Sequence, residues 1–182
     1  MSKKTSVFGI YQNQPAAETA VLALRTAGFS NSDISVLLPS TESTREFAHE
    51  KNTKAPEGAT TGAGTGAVLG GGLGWLVGIG ALAIPGLGPF IAAGPIMAAL
   101  AGAGVGGAVG GLTGALIGMG IPEYEAKRYE GRVKDGGLLL SVHSESADEI
   151  KRAKAVLEQT GAQDISSTSE AAAEKEVVGR TV

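Results

Sequence analysis

The residues best suited to chemistry are few in this chain and poorly placed for it. Histidine occurs twice, at His49 and His143, and cysteine not at all, which removes disulfides, thiol nucleophiles and cysteine-type zinc sites. His143 stands beside Ser144 and Glu145. That grouping would suit a metal ligand or a general base, but its place at the end of an apolar run reads more simply as a strand terminus. His49 lies in a polar stretch. No Ser/His/Asp order or paired-carboxylate spacing emerges, and Asp33 and Asp164 read as turn residues rather than catalytic acids. Glycine, at 29 of 182 residues, invites a phosphate-loop reading. Yet no Gly-Lys-Ser/Thr occurs, and the Gly-x-Gly pairs neither follow a strand nor lead to an acidic residue about 20 positions on. The expectation is a non-enzymatic protein with no cofactor and no metal.

What the glycines do instead is suggested by their distribution. Of the 29, 22 fall between Gly58 and Pro122, and every Asp, Glu, Lys and Arg lies outside that window. Gly62, Gly66, Gly70, Gly74 and Gly78 form one unbroken series four apart, and Gly102, Gly106, Gly110, Gly114 and Gly118 a second. Residues four apart share a helical stripe, so each series is a groove along which two backbones can approach closely. Pro85, Gly86, Gly88 and Pro89 lie between them and suit a tight turn. The spacing predicts a glycine-zipper helical hairpin over 61–120. Its helices, about Thr61 to Ala83 and about Phe90 to Met119, would be roughly 34 Å and 45 Å long at 1.5 Å per residue, enough to cross a hydrocarbon core of about 30 Å. In water each interior glycine costs about 1 kcal/mol relative to alanine, so the hairpin needs a dry partner, either lipid or other copies. Trp75 reads as a packing or lipid anchor.

The flanking parts look like two halves of one soluble domain. In 1–39, Val7 to Tyr11 reads as a strand. A helix opened by Pro15, with Ala17, Val21 and Leu24 on one face and Gly28-Phe29 as its C-terminal cap, follows it, then a strand from Asp33 to Leu38. In 136–167, Gly137 to His143 is a strand apolar on both faces. Ser146 and Glu149 form a capping box for a helix presenting Ile150, Ala153 and Leu157, and Gly161 closes it. Asp164-Ile165-Ser166 repeats Asp33-Ile34-Ser35 at the same place in the unit. Two such βαβ halves sharing one antiparallel sheet, both helices on one face, predict an α+β, split βαβ ferredoxin-like domain interrupted by the hairpin. Residues 40–60 read as a polar linker with a short helix around Ser43 to Lys51. Residues 121–135 read as a connector helix with Glu123/Lys127 and Glu130/Lys134 pairs, its Tyr124 and Tyr129 either solvated or near lipid headgroups. Residues 168–182 read as a flexible tail.

Net charge of -3 and the lack of a basic patch exclude a general nucleic-acid binder. The apolar run at Val7 to Tyr11 is too short for the core of a signal peptide. If the hairpin inserts, Lys51, Lys54, Lys127, Arg128, Arg132 and Lys134 place both ends inside.

The assembled segments resemble the bacterial general-stress-protein family, whose members are described as heat-induced or low-temperature-induced stress proteins. The resemblance rests on Val7-Phe8-Gly9-Ile10-Tyr11, Ala27-Gly28-Phe29, Asp33-Ile34-Ser35-Val36-Leu37, Ile121-Pro122-Glu123, Tyr129-Glu130-Gly131 and Gly136-Gly137-Leu138-Leu139-Leu140-Ser141-Val142. It implies a stress-induced protein and supplies no catalytic residues. Together these readings predict a homo-oligomeric structural protein whose hairpins insert in the inner membrane, both termini cytoplasmic, to stabilise or shape it. The alternative is a soluble cytoplasmic assembly with the hairpins as an apolar core that holds lipid or apolar cargo.

Overall fold

A computed structural model describes residues 5–39, 80–84, 87–97 and 111–169. The fold is α+β. Its elements, in chain order, are β1 (Thr5–Tyr11), α1 (Gln14–Thr26), β2 (Ile34–Pro39), β3 (Gly80–Ile84), β4 (Gly88–Ala93), α2 (Leu112–Gly118), α3 (Glu123–Lys134), β5 (Leu138–Ser144), α4 (Ala147–Gln159) and β6 (Gln163–Ser169). The strands make one sheet in the order β3-β4-β2-β5-β1-β6, and every neighbouring pair is antiparallel.

The flanking halves fold by the local rules legible in their residues. Asn13 caps α1 by accepting from the Ala16 N–H at 3.0 Å, and a proline sits in the first turn. The helix ends where Gly28, at φ +96°, turns the chain so that the Phe29 N–H reaches back to the Leu24 carbonyl at 3.1 Å; a residue with a Cβ resists that left-handed turn. At α4 the capping box is complete, with Glu149 N–H on Ser146 Oγ and the Glu149 carboxylate on the Ser146 N–H, both at 3.2 Å. Helix α1 turns Ala17, Ala20, Val21 and Leu24 onto the sheet, and α4 turns Ala153 and Leu157. Both helices share one apolar layer with Val7, Ile34, Val36, Leu140 and Val142.

The opposite face is covered too. Phe8, Ile10, Leu37, Leu139, Phe90 and Ala92 are buried there beneath Met97, Leu112, Leu116, Ile121, Ala126, Tyr129 and Val133. Three expectations change as a result. First, Gly80 to Ala83 and Phe90 to Ala93, expected to be helical, are strands. Alternation decides this: Phe90 and Ala92 join one core while Ile91 and Ala93 join the other, which only a period of two allows. An open edge on β2 also supplies the hydrogen bonds that a glycine-rich helix would have to make without propensity. Second, Phe90 to Met119 is not one helix. Gly111, at φ +99°, precedes a separate α2 of 7 residues. Third, the connector helix is a wall of the core. It buries Ala126, Tyr129 and Val133, so Tyr129 is unavailable to headgroups, while Tyr124 remains 73% exposed. Both expected four-apart ion pairs form, Glu123/Lys127 at 2.7 Å and Glu130/Lys134 at 2.8 Å. The last strand also runs further than expected, to Ser169 rather than Ser167.

The sharpest fit lies where the chain leaves β4. Gly94 has φ +92°, and a Cβ there would collide with the Ile34 carbonyl oxygen and with Ser35 Oγ. Gly94→Ala must therefore adopt a left-handed backbone, at about 1–2 kcal/mol, and force β2 and β4 apart, at about 1–3 kcal/mol more. Urea unfolding of G94A is expected to give a stability lower by at least about 2 kcal/mol. An unchanged midpoint would contradict the close approach.

Candidate self-association site

The charge-free window meets the folded domain at the β2 edge. There β4 pairs with β2 from Val36↔Ala93 to Pro39↔Phe90, and β3 pairs with β4 from Gly80↔Ala92 to Ile84↔Gly88. Just past Gly94 the chain is pinned again, because the Ile96 N–H donates to Ser35 Oγ at 3.1 Å. The window re-enters the described fold at α2. Thr113 there donates from both its N–H, at 2.9 Å, and its hydroxyl to Glu130 Oε2 on α3. Burial alone would raise the Glu130 pKa, but Lys134 and the two Thr113 bonds outweigh it and hold the carboxyl below its ordinary value. The carboxylate thus ties the first turn of α2 to α3.

Of the residues singled out by glycine spacing, Gly114 and Gly118 lie on α2. The helix buries Leu112, Ala115 and Leu116, and at 100° per residue the two glycines fall on the other side of it. They are half-buried there. Gly88 and Pro89 are the first residues of β4, paired with Ile84 and Ala83, so the turn they help to make joins strands and not helices. Gly62, Gly66, Gly70, Gly74, Gly78, Gly102, Gly106, Gly110, Pro85 and Gly86 lie outside the described residues, as do Trp75, His49, Lys51, Lys54 and the segment around Ser43.

The far edge of the sheet is built differently. The Tyr129 hydroxyl donates to the Asp164 carbonyl oxygen and shares a hydrogen bond with Ser166 Oγ 2.8 Å away. Asp164 is left-handed at φ +52°, a conformation Asp tolerates better than most residues. Its carboxylate takes ion pairs from Arg128 at 2.7 Å and Arg132 at 3.3 Å. Arg128 also lies over the Tyr124 ring, 5.6 Å from its centroid. Asp33, by contrast, closes a turn by accepting from the Ser30 N–H at 2.8 Å. His143 Nε2 sits 3.6 Å from Glu145 Oε1, and among the described residues no cluster of His, Asp and Glu is arranged to hold a metal.

Sequence reasoning missed the anchoring groups Ser35, Glu130 and Tyr129. The signal for two of the contacts was present in the repeated Asp-Ile-Ser, whose serines both face the second layer. The signal for β4 was the alternation after Pro89, masked by the fourfold glycine rhythm around it. Comparison with known protein families, curated proteins and solved structures returns no match to this chain.

Burial pushes the Tyr129 phenol up to about 12, against a smaller lowering from Ser166. The folded state therefore holds this proton more tightly than the unfolded chain, whose tyrosine titrates near 10. That contribution is present in full below pH of about 10 and is lost as pH rises toward about 12. Tyr129→Phe is expected to lower stability at neutral pH by about 1–2 kcal/mol through the lost hydrogen bonds. It should also flatten the decline between pH of about 10 and 12 relative to wild type. Parallel stability-pH profiles would show that another group governs the alkaline limb.

Proposed function

We propose that this chain is a non-enzymatic, self-assembling structural protein, with residues 58–122 as its association element. The observation that carries this reading is the way the charge-free window is joined to the domain through β3 and β4, extending the β2 edge of the sheet. A segment with neither charge nor good helix propensity is poorly solvated on its own, and a fixed attachment to a rigid sheet presents it to the same segment of another copy. The sheet order β2-β5-β1-β6, with α1 and α4 on one face, supports reading the carrier as a split βαβ domain of the ferredoxin-like kind. The relation to stress rests on the family resemblance.

Between lipid and other copies, pairing in the sheet favours other copies. Residues 39 and 90 are partners across β2 and β4, so they lie on the same side of any bilayer, and the chain between them crosses an even number of times. The uncharged stretch 58–79 is about the 20 residues that one crossing needs. Residues 98–110, with buried Met97 and Leu112 at either end, span only about 20 Å as a helix, short of the 30 Å or so of hydrocarbon. No helix among the described residues is long and apolar enough to cross a membrane. The second reading, insertion that shapes a membrane, keeps its support from residues 58–79 as a re-entrant or interfacial segment.

Light scattering of full-length protein purified without detergent is expected to give a mass several times that of one chain. Replacing Gly66 and Gly70 together by Leu, or Gly106 and Gly110 by Ile, is expected to abolish association while the domain stays folded by circular dichroism. Unchanged particle mass in both double variants would overturn the assignment to glycine packing. Retention of wild type in membranes after alkaline carbonate would favour the second reading.

A further inference from the structure

Helix α2 is held in place from outside. It has 7 residues, two of them glycine and none charged, and Gly111 before it supplies no side-chain cap. A helix of that length and composition is not stable alone, and the N–H groups of its first turn have no partner within the helix. One of those groups, on Thr113, is met by Glu130 of α3, whose Oε2 accepts from the Thr113 N–H at 2.9 Å and from the Thr113 hydroxyl. Glu130 Oε1 takes Lys134 at 2.8 Å. The cap of α2 is therefore a carboxylate supplied by the next helix, and its charge suits the positive end of the helix dipole. Beneath it, Leu112, Ala115, Leu116 and Met119 are buried in the second layer.

We propose that Glu130 is an acid-operated latch: ionised, it seats α2 on the sheet, and on taking a proton from solvent it lets α2, and with it the C-terminal part of the charge-free window, lift from the second layer. A carboxylate accepts at both oxygens, whereas the protonated acid carries a hydrogen on one of them and no charge. Glu130 then loses Lys134 as an ion-pair partner and offers Thr113 a neutral acceptor, about half as strong as an ionised one. Its side chain is 20% exposed, so a proton from solvent reaches it. The groups that face it are few. Helix α2 and the rest of residues 58–122 carry no Asp, Glu, Lys, Arg or His. On α3, Lys127 is paired with Glu123 at 2.7 Å, and Arg128 and Arg132 lie about 200° around the helix, at Asp164 of β6. On β5, His143 is the titratable side chain of the same face and lies 3.6 Å from Glu145. Burial favours the neutral acid, but Lys134 and the two Thr113 bonds outweigh it and keep the Glu130 carboxyl below its ordinary value. The latch is therefore closed above pH of about 4.3, the ordinary glutamate value, and opens as the pH falls through the lower folded value. It works within one chain and stands whether or not chains associate.

Amide hydrogen exchange of the full-length protein, read by mass spectrometry and expressed as protection factors so that the intrinsic pH dependence cancels, compares α2 with α1 in the same molecule. Helix α1, capped by the uncharged Asn13, is the control for global unfolding in acid. Wild-type α2 is expected to lose at least about tenfold in protection between pH of about 6 and 3 while α1 keeps its own, the loss that hydrogen bonds to a charged group imply. Glu130→Gln, neutral at every pH, is expected to show the lower α2 protection already at the upper pH and to stay flat on acidification. Thr113→Val keeps the N–H and removes the hydroxyl, so its α2 loss is expected to begin at higher pH than in wild type. Equal acid loss from α1 and α2, or an α2 in Glu130→Gln as protected at the upper pH as in wild type, overturns the latch. The acid series on wild type decides it even where a variant fails to fold.

Discussion

From Leu138 to Val142, strand β5 is buried on both faces, and the rest of the molecule follows from that. Leu138, Leu140 and Val142 point into one core and Leu139 into the other, all between 0% and 4% exposed, with β1 and β2 hydrogen-bonded along both edges. A strand apolar on both faces needs two covering layers. The βαβ connections furnish only one, since α1 and α4 lie on the same side. Left bare, Phe8, Ile10, Leu37 and Leu139 would each forfeit about 1.5–3 kcal/mol, together comparable to the whole stability of a small domain, about 5–15 kcal/mol. The second layer has to come from the segment inserted between the halves.

This changes what the insertion is. Read as sequence, the glycine window looks like a separate body attached by linkers. In the fold two of its stretches belong to the domain. Phe90, Ala92 and Met97 in its middle, and Leu112, Leu116 and Met119 near its C-terminal end, close the face that β5 leaves open. Helix α3, which reads as a connector because its charges pair four apart, is the rest of that wall. Its charged face is solvated, as the exposed Glu123/Lys127 pair shows, while Ala126, Tyr129 and Val133 on its other face reach the core.

How much of this was legible depends on whether a signal is local. Caps and apolar periodicity are set by residues within a turn or two of each other. Asn13-Pro15, Gly28-Phe29 and Ser146-Glu149 therefore place α1 and α4 from sequence alone, and the double-sided apolar run of β5 announces that it is central. The strand at Phe90 to Ala93 has no such independence. Its residues suit helix or strand comparably, and what selects strand is the open edge of β2, more than 50 positions earlier in the chain. The fourfold glycine rhythm then pointed the wrong way in the middle of the window. Gly78 and Gly102 mark series that stop short of residues 80–97, and the hairpin occupies the gap. For the candidate site, the attachment of residues 80–93 to the β2 edge was readable only after the sheet was known.

The repeated tripeptide does more than mark two similar strand starts. Asp33-Ile34-Ser35 and Asp164-Ile165-Ser166 begin corresponding strands, but their aspartates have parted company, one closing a local turn and the other held left-handed between two arginines. Their serines have not. The register runs Ser35↔Ser141, Ser141↔Phe8 and Phe8↔Ser166, so the two stand at either end of one row across the face that the second layer covers. Each spends its hydroxyl on that layer, Ser35 accepting from the Ile96 N–H and Ser166 bonding the Tyr129 hydroxyl. Ser35 is buried and Ser166 half-buried, and each forms its hydrogen bond only when its neighbour in the second layer is seated, whereas Ser141 between them is buried with no partner for its hydroxyl. One tethers the insertion near the β2 edge and the other tethers α3 near the β6 edge. Two serines at matching places in the two halves of the sheet thus help to fix the two ends of a layer that neither half contains.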